Sequence, residues 1–271
     1  MKTTLLLASL LTASFGCFTA CAADAPAAPV AGAPAAPAKP IRVLAFSKTN
    51  GYRHGKPIEL AHAMLKDFAK DGGMVIDAHS GEKPEVFTQD VLKDVDVVVF
   101  LHTTDNPKNP LLNKEQRAAF EAFIQRGGGW VGVHGASDGG YDWPFLSEML
   151  GAHFKCHPAQ QTADLHVVNA DHPSTAHLEK TFKHHEEWYS FTDNIHGKPE
   201  YMELLRVDEK SYKQPGNGVM GDDHPICWCR EYKGGRSWYT ELGHTEPQYK
   251  QEWFRKHVLG GIQWAAKREK K

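Results

Sequence analysis

The feature that most limits what this chain can fold into is a repeated alternation of short, continuous apolar runs with amphipathic stretches. Ile41 to Phe46, Met74 to Asp77, Val95 to Leu101 and Trp130 to Val133 are apolar on successive residues rather than on every second one. A strand of that kind is buried on both faces. Between them, Pro57 to Asp71 places Leu60, Met64, Leu65 and Phe68 on one helical face, and Lys114 to Arg126 does the same with Phe120, Phe123 and Ile124. Buried strands alternating with one-sided helices predict an α/β domain with a mostly parallel sheet covered by helices on both faces. Candidate strands near Asp164 to Val168, Tyr201 to Val207, Ile226 to Tyr232 and Gly235 to Glu241 follow without helices between them, so antiparallel additions are expected in the C-terminal half. A last helix over Gln248 to Lys267 carries Trp253, Phe254, Val258, Ile262 and Trp264.

Residues 1–40 stand apart from this pattern. Lys2 precedes the apolar run Leu5 to Leu11, and small residues follow, the layout of a secretory signal. The run falls short of the roughly 20 apolar residues of a membrane-spanning helix. Phe18-Thr19-Ala20-Cys21 and Ser14-Phe15-Gly16-Cys17 both resemble a lipoprotein box, while Ala20-Cys21-Ala22 also reads as a plain cleavage site. Lipidation of Cys21 is the favoured reading. Residues 22–40, nearly all Ala and Pro, offer nothing bulky to bury and suit an extended tether. The expectation is therefore an exported protein, periplasmic or on the outer surface, touching the membrane only through a lipid anchor: signal 1–21, tether 22–40, domain 41–271.

A net charge of −2 and a pI near 6.8 predict no attraction to nucleic acid. Neither G-x-x-x-x-G-K nor G-x-G-x-x-G occurs, so no nucleotide cofactor is expected. The domain holds Cys156, Cys227 and Cys229, an odd number that leaves at least one free thiol. Cys227 and Cys229, two apart on a strand, read as small buried residues.

Ligands of open α/β sheets bind beyond the carboxyl ends of the strands. Three loops at that predicted edge carry His54, His102 and His134. Gly132-Val133-His134-Gly135-Ala136 has the glycine-flanked form of a sharp strand-to-helix turn, with imidazole in the presented position. Imidazole there suits a metal ligand or a proton carrier.

The run Gly127 to His134 resembles the central motif of the trehalose-utilisation (ThuA-like) family. Tyr52-Arg53-His54, Leu150-Gly151-Ala152-His153-Phe154-Lys155-Cys156-His157-Pro158, Asp171-His172-Pro173, Glu186-Glu187-Trp188-Tyr189, and the closing block from His224-Pro225 through Gly235-Arg236-Ser237-Trp238-Tyr239 to Leu242-Gly243-His244 resemble further elements, in order. The family commonly has Asp where this chain has Glu186. The resemblance implies a flavodoxin-like fold similar to class I glutamine amidotransferase domains, and a role in carbohydrate catabolism, classically of trehalose, with keto-sugar derivatives of glycosides as a further substrate class. His134 stands where an amidotransferase has its nucleophilic Cys, so glutamine hydrolysis through a thioester is not expected.

His134, His157, His244 and Glu187 are thus candidate ligands of a divalent metal, zinc foremost, with an open position for catalysis. Glu187, His54 and His134 are candidate proton carriers. Arg53 and Arg236 could hold substrate oxygens, and Trp188, Tyr189 and Trp143 could offer ring faces to a sugar. Against the metal, no H-E-x-x-H pair is present and sixteen histidines make chance groupings easy. His184 and His185 are expected at the surface, and His172-Pro173 and His224-Pro225 suit loop shaping as well as chemistry. The expected function is a metal-assisted sugar isomerase, lyase or hydrolase with a small carbohydrate as partner. A non-catalytic carbohydrate-binding module and an amide or peptide hydrolase are the alternatives.

Overall fold

The structure, a computed structural model, describes residues 39–268. The signal, Cys21 and nearly all of the tether lie outside the described residues. In chain order the elements are β1 (Ile41–Phe46), α1 (Gly55–Lys70), β2 (Met74–Ile76), α2 (Gln89–Leu92), β3 (Val97–Leu101), α3 (Lys114–Gln125), β4 (Gly129–Val133), α4 (Pro144–Leu150), β5 (Phe154–Cys156), β6 (Gln161–Val167), β7 (Thr181–Glu186), β8 (Ser190–Phe191), β9 (Met202–Val207), β10 (Pro225–Tyr232), β11 (Gly235–Thr240) and α5 (Glu252–Ala265).

One nine-stranded sheet runs β2-β1-β3-β4-β11-β10-β9-β6-β7. From β2 to β11 every pairing is parallel, and from β11 to β7 every pairing is antiparallel. The order 2-1-3-4 followed by one more parallel strand is the flavodoxin-like arrangement. Here the fifth place is filled by β11, which arrives from a hairpin with β10 rather than after a crossover helix.

The alternating faces of the parallel strands explain the two cores. Val43, Ala45, Val97, Val99, Val131 and Val133 pack with α1 and α5 on one side. Leu44, Phe46, Val98, Phe100 and Trp130 pack with α3 and α4 on the other. Trp143 belongs to this second core: its indole N–H donates to Glu121 (2.7 Å) and its ring lies against Phe120 and Arg117. Two glycines of α5 let the helix lie close on the sheet, since a Cβ at Gly261 would strike the Trp238 ring and one at Gly260 the carbonyl of Pro173.

The structure departs from the expected elements where the period-2 signal is weak. β7 reads Thr-Phe-Lys-His-His-Glu, and its inward positions include His184 and Glu186, so no apolar alternation marks it. His184 is consequently buried and not a surface residue; only His185 is exposed. The final helix begins four residues later than expected because Pro247 opens a separate short 3-10 turn, Glu246–Lys250. Among the described residues Cys156, Cys227 and Cys229 are free, and Cys227 and Cys229 are buried neighbours on β10, as expected for small core residues. No helix among the described residues is long and apolar enough to cross a membrane.

Candidate metal centre

The parallel strands end at one edge, and their exits deliver the imidazoles. Leu101 on β3 is level with Val133 on β4, so the next residues, His102 and His134, emerge side by side. Both have a left-handed backbone, φ 54° and 50°. Residues other than Gly adopt that conformation uncommonly, Asn, Asp and His more often than the rest, and such residues concentrate at functional sites. The turn swings the His134 ring over the sheet edge instead of continuing the strand. His54 follows β1, and His244 follows β11 on the opposite flank. Gly243 has φ 133°, and a Cβ there would meet Val133 at 3.0 Å and the His134 Cβ at 3.4 Å, so its glycine allows the two histidine loops to close on each other. Glu187 enters from the connection between β7 and β8.

These routes bring one ligand atom each from His54, His134, Glu187 and His244 within 4.8 Å of one another. Glu187 Oε2 lies 3.0 Å from His244 Nδ1, 3.5 Å from His134 Nε2 and 4.0 Å from His54 Nε2. His244 Nδ1 and His134 Nε2 are 3.3 Å apart. A tetrahedral ion with bonds of about 2.0–2.2 Å holds its ligands about 3.3–3.6 Å apart. The donor set and its spacing therefore fit a four-coordinate divalent ion with little movement.

The supporting shell favours the same reading. His134 Nδ1 donates to the Glu241 carbonyl (2.5 Å), which fixes the tautomer and leaves the Nε2 lone pair toward the cluster. His244 Nε2 is 2.9 Å from the side-chain amide of Gln160. The Glu186 carboxylate accepts the backbone N–H groups of Glu187 (2.9 Å) and Gly243 (3.0 Å), tying two ligand loops to one side chain. Glu241 accepts the Tyr189 N–H (3.2 Å). Burial, reinforced by the neighbouring Glu186, pushes the Glu241 carboxyl well above its ordinary value.

Charge within the cluster follows from the same contacts. Burial opposes ionisation of Glu187, but hydrogen bonds from His134, His244 and His54 outweigh it and hold its carboxyl well below the usual range. Burial pushes His54 down to about 4, with the like charges of His134 and His244 adding to it against the pull of Glu187. His244 moves up: burial would lower it, but its bond to Glu187 prevails.

The cluster opens into two adjoining spaces. One, about 300 Å³, is lined by Asp138, Phe154, His157, Glu187 and Tyr189. The other, about 820 Å³, is lined by Arg53, Gln160, Lys183, His184 and His244. Tyr52 and His54 border both, and Tyr52 is 68% exposed, so its ring stands free at the mouth.

The expected ligands change by one residue. His54, expected as a proton carrier, joins the cluster, while His157 stands outside it: its Nδ1 is 3.3 Å from the other Glu187 oxygen and 2.8 Å from the Pro158 carbonyl. Tyr189 borders the smaller space, but it is 3% exposed and its ring is covered by His134 and Phe154, each 4.3 Å away between centroids, and by His157. Arg53 is at the mouth of the larger space but is paired with Glu82 (2.6 Å).

Three expected substrate residues are elsewhere. Trp188 is completely buried in the core, with its N–H on the Gln161 carbonyl. Trp143 sits in the second core. Arg236 lies opposite Gly129 at the start of β11, four residues or about 13 Å of strand from the His134 edge. Its guanidinium holds the Trp264 carbonyl and Glu231. His224 is structural, donating to the Tyr189 carbonyl (2.8 Å) and contacting Glu209.

Sequence reasoning did not single out Gln160 or Glu241; polar residues of these types are too common to stand out without the fold.

The family model for trehalose utilisation, ThuA, matches residues 42–265. The chain belongs to the ThuA family. A ThuA-like protein from Bacteroides uniformis is 27% identical, with a TM-score of 0.72 over 86% of this chain and 95% of that one. One from Parabacteroides merdae is 20% identical, with a TM-score of 0.65 over 84% and 90%. A glutamine amidotransferase from Thermotoga maritima, at 12% identity and a TM-score of 0.53 over 83% and 98%, shares the fold. No curated protein matches the chain. In this ThuA-family member the strand-end turn presents His134 rather than a thiol, and the nearby Ser137 is buried against the Tyr239 hydroxyl (2.8 Å).

Proposed function

We propose that this ThuA-family chain is a divalent-metal-dependent enzyme that acts on a carbonyl-bearing carbohydrate, such as a keto-sugar glycoside, by moving a proton beside the carbonyl in an isomerase or lyase reaction. The observation that carries the reading is the convergence of His54, His134, Glu187 and His244 beside an open cavity. Imidazole and carboxylate donors without a thiolate are the types found in catalytic zinc sites, and with all four residues bound a substrate oxygen would join by expanding the coordination to five. Bound there, a zinc or similar ion supplies Lewis-acid polarisation of a carbonyl oxygen. The chain's own groups do the rest. Phe154 provides a ring face against which a sugar ring packs, and Tyr52 stands at the mouth. Arg53, Gln160 and Lys183 line the polar space where the remainder of a glycoside extends.

Amide hydrolysis is the poorer reading, because neither a thiol nor a free hydroxyl stands at the strand-end turn. The test is to strip untagged protein with chelator, reload it with zinc, and follow methyl 3-keto-glucopyranoside in deuterated water by proton NMR. Metal-dependent deuterium exchange beside the ketone, or release of methanol, is expected. Stoichiometric zinc with no exchange or release across a panel of keto-sugars would remove the catalytic reading and leave carbohydrate binding.

The same proposal includes export and lipid anchoring at Cys21, supported by Lys2, the run Leu5 to Leu11 and the Ala/Pro-rich segment after it. Cys21→Ala should move the protein from the membrane fraction to the soluble periplasm. Wild-type protein already soluble there would refute the anchor.

A further inference from the structure

If the metal takes Glu187 and three imidazoles, the cavity needs a different group to move the proton. Five titratable residues other than Asp138 line the smaller space, and each is otherwise committed. His54 and Glu187 belong to the ligand cluster. The Nδ1 of His157 is taken by the Pro158 carbonyl and Glu187. Burial pushes the Tyr189 phenol well above its ordinary value, so it is no base at neutral pH. Tyr52 stands mostly in solvent at the mouth.

We propose that Asp138 is the proton-transferring carboxylate of this cavity; the proposal rests on the keto-sugar reading above. Asp138 is four residues past His134, at the end of the 3-10 turn His134–Ser137. Its backbone is clamped at both ends, N–H to the Gly135 carbonyl (2.8 Å) and carbonyl to the Asp105 N–H (3.0 Å). A base held this firmly needs little reorganisation to react. One carboxylate oxygen accepts the Tyr141 hydroxyl (2.7 Å), and the other has no hydrogen-bond donor among the described residues. No Lys or Arg is paired with Asp138 among the described residues.

The groups facing Asp138 are Asp105 and Tyr141 on its own flank, His153 behind the Tyr141 ring, His134 beneath, and Glu187 and His157 across the cavity. Burial raises its carboxyl above the ordinary value; the Tyr141 bond works against this and Asp105 adds to it. A carboxylate displaced toward neutrality is better matched to abstracting a carbon-bound proton.

The step balances without an oxidant. The Asp138 oxygen takes the proton from the carbon beside the carbonyl, the C–H pair becomes the carbon–carbon π bond, and the carbonyl π pair moves to oxygen. Asp138 then returns the proton to the same carbon as the carbonyl re-forms. In the lyase outcome the carbonyl re-forms, the carbon–carbon π pair shifts to the bond with the next carbon, the C–O bond there breaks with its pair on oxygen, and Asp138 gives that oxygen the proton.

The test compares zinc-loaded wild type, Asp138→Asn and Asp138→Glu on methyl 3-keto-glucopyranoside in deuterated water. Asp138→Asn is expected to lower the exchange rate about 100- to 10,000-fold. KM, zinc content and melting temperature should stay near wild type. Asp138→Glu should restore part of the rate with a shifted acidic limb in its pH profile. Exchange by Asp138→Asn within a few-fold of wild type, with zinc bound, overturns the proposal. Should wild type exchange nothing, the keto-sugar reading falls, and the ¹³C carboxyl titration of Asp138 still decides the base. A value above the ordinary aspartate value of about 3.9 sustains it, and one at or below that value overturns it.

Discussion

Replacing Glu187 by Gln keeps the size of the side chain while removing the charge on which three imidazoles converge. Its Oε2 lies at 3.0, 3.5 and 4.0 Å from His244, His134 and His54, so the carboxylate is the one anionic ligand of the cluster. A structural zinc site is worth about 10–16 kcal/mol in total; shared over four ligands, that is about 2.5–4 kcal/mol each, or roughly 100- to 1,000-fold in affinity. Metal that binds only the folded state raises stability by about 2.7 kcal/mol at a free concentration 100 times Kd. For a domain of this size each kcal/mol is about 2–4 °C, so wild type should gain about 5–11 °C on zinc addition. The same zinc concentration is at or below the Gln variant's own Kd, which leaves no more than about 0.4 kcal/mol and a shift of about 1 °C. Differential scanning fluorimetry with and without zinc, paired with calorimetric titration of chelated protein, reads both quantities. A wild type with no zinc-dependent shift, or a Gln variant that binds as tightly, would refute the metal centre and leave the four residues as a hydrogen-bonded charge cluster.

Two further outcomes follow from the surrounding structure. The Tyr249 hydroxyl accepts from His102 Nε2 (2.7 Å) and donates to the Gly243 carbonyl (2.8 Å), holding the loop of His244. Tyr249→Phe should weaken zinc binding about 10- to 100-fold without removing a ligand; calorimetric titration that matches wild type would show that this bridge positions nothing. Acid should destabilise the metal-free protein from pH 6.5 downward. Burial pushes His257 down to about 3 and His102 well below its ordinary value, so the folded state refuses protons that the unfolded chain accepts below about 6.5. Their contribution is complete above that pH and fades as pH falls toward the folded values. A melting temperature that stays level or rises between pH 6.5 and 4 would contradict this, and His257→Gln should flatten the decline.

What the sequence determined by itself is the layout that depends on local pattern. Continuous apolar runs such as Val97 to Leu101 are buried on both faces wherever they pair, and the helices between them carry one apolar stripe; together they require a helix-covered parallel sheet. The same logic set His54, His102 and His134 at one edge, because strand direction alone decides where a parallel strand's exit loop lies. The match of Gly127 to His134 with the ThuA motif belongs to this layer as well.

Only the tertiary structure decided which of those side chains meet. Trp188 and Tyr189 are adjacent in sequence and both buried, yet Trp188 packs into the first core and Tyr189 into the second, beside the cavity; which of two consecutive aromatics borders the site depends on the path the chain takes after β7. Arg236 and His244 sit in the same motif block but at opposite ends of β11, so a shared motif did not place them in a shared site. The exchange of His157 for His54 among the ligands has the same origin. Ligand identity is set by distances of a few tenths of an ångström between loops far apart in the chain, and those distances are fixed by packing such as the Gly243 contact and the Glu186 clamp, which leave no periodic trace in the sequence.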